Sequence, residues 1–82
     1  MFRVGPEYNW EVVVREVEVD LGDVRSLMEE GNINTARAML ELAKERIVPF
    51  ELKIPKDELR KIRKMIKDVE EELEKKENLP FL

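Results

Sequence analysis

The chain has 82 residues, no cysteine and no histidine, and a formal net charge of −4 at pH 7. That length makes one domain with a modest core, and the missing thiols and imidazoles exclude disulfides and any zinc or copper site built on Cys or His. Charged residues of both signs are 41% of the chain and glutamine is absent, which points to a thermophilic source, while the acidic total disfavours nucleic-acid binding by the whole surface.

Residues 1–7 read as an irregular lead, with Gly5-Pro6 as a turn signal. Met1 to Pro6 carries no signal-peptide core, and no apolar run approaches the ~20 residues of a membrane span, so a cytoplasmic protein is expected. Residues 8–19 read as a strand. Trp10, Val12 and Val14 alternate in one phase, and Val17, Val19 and Leu21 in the other. The change of phase at Arg15-Glu16 reads as a β-bulge, since no Gly, Asn or Asp lies between Glu11 and Val19 to turn a hairpin.

Residues 20–31 read as the first helix, with Asp20 as its cap, Leu21, Val24, Leu27 and Met28 as its stripe, and Gly31 as its left-handed stop. Residues 34–48 read as the second, capped by Asn34. Its apolar residues Ala36, Met39, Leu40, Leu42, Ala43 and Ile47 span more than one face, which makes it the central element. Residues 50–54 alternate as an extended connector. Residues 55–77 form the third helix, with Pro55 in its first turn and Leu59, Ile62, Ile66, Val69 and Leu73 as its seam. Residues 78–82 are an apolar tail.

The predicted fold class is therefore α+β, mostly α: one long N-terminal strand followed by three helices. A lone strand leaves its main-chain groups unpaired, so it is expected to pair with the same strand of a second chain across a dimer.

Catalytic chemistry finds few candidates. Ser26 lies on a predicted amphipathic helix without the glycines of a nucleophile elbow, and Gly5, Gly22 and Gly31 form no phosphate loop. Neighbouring carboxylates in Glu29-Glu30 and Glu70-Glu71-Glu72 point in different directions around a helix. No catalytic residue, cofactor or metal is expected. Arg60, Lys61, Arg63, Lys64 and Lys67 make a basic run that suits a phosphate backbone, yet acids flank it on both sides, so intrahelical pairing is the preferred reading.

Two local resemblances bear on this. Gly31-Asn32-Ile33-Asn34-Thr35-Ala36, with Leu40 and Ala43, resembles the turn and second helix of a tetratricopeptide-type hairpin, which implies close helix approach at a glycine turn. Strand, helix, Gly turn and helix over residues 15–47 resemble the ribbon-helix-helix repressors, which implies a strand-paired dimer. In that arrangement Glu16, Glu18 and Asp20 would face DNA and repel it. The expected function is a non-catalytic protein-interaction or assembly module, homodimeric or binding another protein. Its candidate interface residues are Trp10, Val12, Val14, Val17, Val19, Phe81 and Leu82. A small nucleic-acid-binding regulator using the basic run is the alternative.

Overall fold

Asn9 starts a helix that overturns the strand. In a computed structural model, which describes residues 9–77, its Oδ1 accepts from the Val12 N–H at 3.1 Å, and the helix α1 runs unbroken from Trp10 to Glu30. The expected strand at 8–19, its bulge at Arg15-Glu16 and the strand-paired dimer all give way, because no strand exists among the described residues. Asp20, expected as a cap, lies in the middle of α1 and is buried.

The energetics explain the outcome. Val costs a helix up to about 0.7 kcal/mol per residue relative to Ala, through lost side-chain freedom. Against that, Val13, Val14 and Val17 are buried in the core, each with about 1.5–3 kcal/mol of apolar transfer. Burial outweighs propensity, and it does so only in a helix. Val13, Val17, Leu21, Val24 and Met28 recur every three to four residues and fall on one side of a helix, whereas a strand would divide them between two faces.

Gly31 ends α1 at a φ of 88°, with its N–H on the Met28 carbonyl at 3.1 Å and the Asn32 N–H on the Leu27 carbonyl at 2.9 Å. This is the reciprocal left-handed cap that glycine accommodates without strain. Asn32, rather than Asn34, then precedes α2 (Ile33–Ile47). Pro49 lies in a short 3₁₀ turn, Val48–Phe50, that continues from α2. The expected extended connector at 50–54 is a turn: the N–H groups of Lys53 and Ile54 both return to the Phe50 carbonyl, at 2.9 and 3.0 Å. The turn buries Ile54 and leaves Leu52 fully exposed. Helix α3 (Lys56–Glu77) follows Pro55, whose carbonyl accepts from Leu59 at 2.8 Å.

The fold class is thus three helices in a bundle-like arrangement, without a strand among the described residues. Ion pairs give the directions. Lys44 meets Glu70 and Arg37 meets Glu77, so α2 and α3 are antiparallel; only Gly31-Asn32 separates α1 from α2, and Arg46 at the far end of α2 meets Glu16 and Asp20, so α1 and α2 are antiparallel as well. Helix α3 returns parallel to α1, with Arg25 on Glu72. One apolar cluster joins Val17 and Val24 of α1, Leu40 and Ala43 of α2, and Ile62, Val69 and Leu73 of α3. No described helix is long and apolar enough to cross a membrane. The lead at 1–7 and the tail at 78–82 lie outside the described residues.

Leu40 is wholly buried between the other two helices. Truncation of Leu40→Ala is expected to cost roughly 2–5 kcal/mol in chemical denaturation; a loss below about 1 kcal/mol would remove Leu40 from the centre of the core.

Candidate protein-interaction surface

Because α1 buries one arc, the opposite arc is fixed by helix geometry. Arg15, Val19, Gly22 and Ser26 follow at spacings of four, three and four, and all are exposed. Val19 is 59% exposed, a branched apolar side chain directed away from the core. Beside it, Val12, Arg15, Glu16, Val19, Asp20 and Arg46 line a shallow groove of about 340 Å³ where α1 meets α2. Leu42, 52% exposed, lies one turn before Arg46 along α2.

A buried carboxylate holds the floor of this groove. Arg46 Nε donates to Asp20 Oδ2 at 2.7 Å, and its Nη1 to Glu16 Oε1 at 3.2 Å. The guanidinium thus spans two successive turns of α1 and fixes the register of α2 against it. A burial of Asp20 without this partner would leave a desolvated charge. On the far side of α2, Lys44 Nζ donates to Glu70 Oε2 at 2.9 Å and lies 3.5 Å from Glu41 Oε2. Its hydrogen bond to Glu70, with the charges of Glu70 and Glu41, holds the Lys44 pKa above its ordinary value against an opposing cost of burial. The Arg37 pKa is likewise raised, first by its hydrogen bond to Glu77.

The other expected site residues are scattered. Val14 and Val17 are buried in the core, Val12 and Trp10 are half-buried, and Phe81 and Leu82 lie outside the described residues. Trp10 lines a separate depression of about 310 Å³ with Val14, Glu18 and Glu58 between α1 and α3. The basic run is exposed along α3, but carboxylates accompany it. Arg63 meets Glu51 at 2.7 Å, Lys64 meets Asp68 at 3.7 Å, Arg60 meets Asp57 at 3.8 Å and Lys61 meets Glu58 at 3.9 Å. Asp68 and Glu71 also share the depression lined by Arg60, Arg63, Lys64 and Lys67. A phosphate there would meet two acids among the four cations.

Val19 was named from the sequence as an interface candidate, but Leu42 and the Arg15 and Gly22 positions flanking Val19 were missed as surface features. A helical projection of residues 10–30 would have exposed the arc; the Arg46–Asp20 link, 26 residues apart, has no sequence signal. Among the described residues, no group of three acidic side chains is arranged to hold a metal ion. Comparisons with protein-family models, with curated proteins and with solved structures found no match to the chain.

Arg46→Met strands Asp20 and is expected to cost about 1–3 kcal/mol, while Asp20→Leu combined with Arg46→Met costs less than Arg46→Met alone. A double variant at least as damaged as the single one would deny Asp20 its dependence on Arg46. For Lys44 the folded state holds the proton more tightly. Its stabilisation is therefore complete below the ordinary lysine pKa, about 10.4, and is lost as pH rises through the raised folded value. Stability curves of Lys44→Met should be flatter than the parent's on that alkaline limb; parallel limbs would contradict the assignment.

Proposed function

We propose that this chain is a non-catalytic protein-interaction or assembly module that binds through the outer surface of α1 and the adjoining edge of α2. The observation that carries the reading is the exposed Val19 lining the groove with Val12, together with Leu42, exposed on α2 one turn before the groove's Arg46. Single surface apolar residues are ordinary, but an apolar groove such as that of Val12 and Val19, with a charged rim, has the anatomy of a contact surface. Here the rim is Arg15, Glu16 and Arg46. Alternating charge, absent glutamine and absent cysteine support a thermophilic, cytoplasmic setting as part of the same proposal.

If Val19 and Leu42 serve a partner rather than the fold, replacing both with Lys leaves the stability of the dilute single chain within about 0.5 kcal/mol. Dilution matters, because association would itself raise apparent stability. A loss well above 1 kcal/mol would make these side chains part of the core and overturn the reading. The competing nucleic-acid function is tested by retention of a 30-base-pair duplex between about 50 and 200 mM salt. No retention that Lys64→Glu with Lys67→Glu abolishes is expected; steeply salt-dependent binding lost in that variant would replace the interaction reading.

A further inference from the structure

We draw no further inference here: the strongest candidate, the depression between α1 and α3 lined by Trp10, Val14 and the carboxylates of Glu11, Glu18 and Glu58, joins an acidic cluster to a half-buried indole, and nothing in the structure shows what covers it.

Discussion

Burial of one arc of α1 against both other helices is the constraint on which the rest of this structure depends. Val13, Val17, Val24 and Met28 join the core from a single side, so the backbone of residues 10–30 satisfies its own hydrogen bonds and needs no neighbouring strand. The same geometry decides where the rest of the helix points. Asp20 falls at the edge of the buried arc and is held there by Arg46, while Val19, one residue earlier, falls on the open side. Core, register and surface are three consequences of one helical period.

The parts of the fold that were legible in the sequence are those where local chemistry and periodicity agree. Gly31 stops α1 in the left-handed conformation, Pro49 and Pro55 bracket the turn, and the Leu59-Ile62-Ile66-Val69-Leu73 seam gives α3 its buried side. Residues 10–19 are where they disagree. Five β-branched residues in ten favour an extended reading, and Val alternates through both halves of the segment. The phase change at Arg15-Glu16, taken as a bulge, is the helical repeat itself: Val13 and Val14, then Val17, then Leu21 and Val24. Tertiary burial settled the conflict against propensity, as it does wherever an apolar arc is complete. Phe50, Leu52 and Ile54 misled in the same way, since the returns to the Phe50 carbonyl curl the segment before alternation can act.

The candidate surface was only half legible for a related reason. Assigning residues 10–19 to a strand grouped Val12, Val14, Val17 and Val19 as one interface. A helix separates them, placing Val14 and Val17 in the core, Val12 at the groove and Val19 outside. What remains is smaller and more specific than a paired ribbon: an apolar centre, a rim of both charges and a glycine with open space above it. The basic run of α3 was read correctly as a row of residues but acquires its character from Glu51, Asp57, Glu58 and Asp68, which meet four of its five cations.

The central claim is that the Val-rich segment is one continuous helix with Val19 on its outer side. Backbone carbon chemical shifts of the labelled protein test it residue by residue. The account predicts helical Cα displacements from Glu11 through Glu30 without a break, ending at Gly31. Strand-like shifts over residues 11–19, with helix beginning only near Asp20, would contradict it, and with it the surface built on that helix.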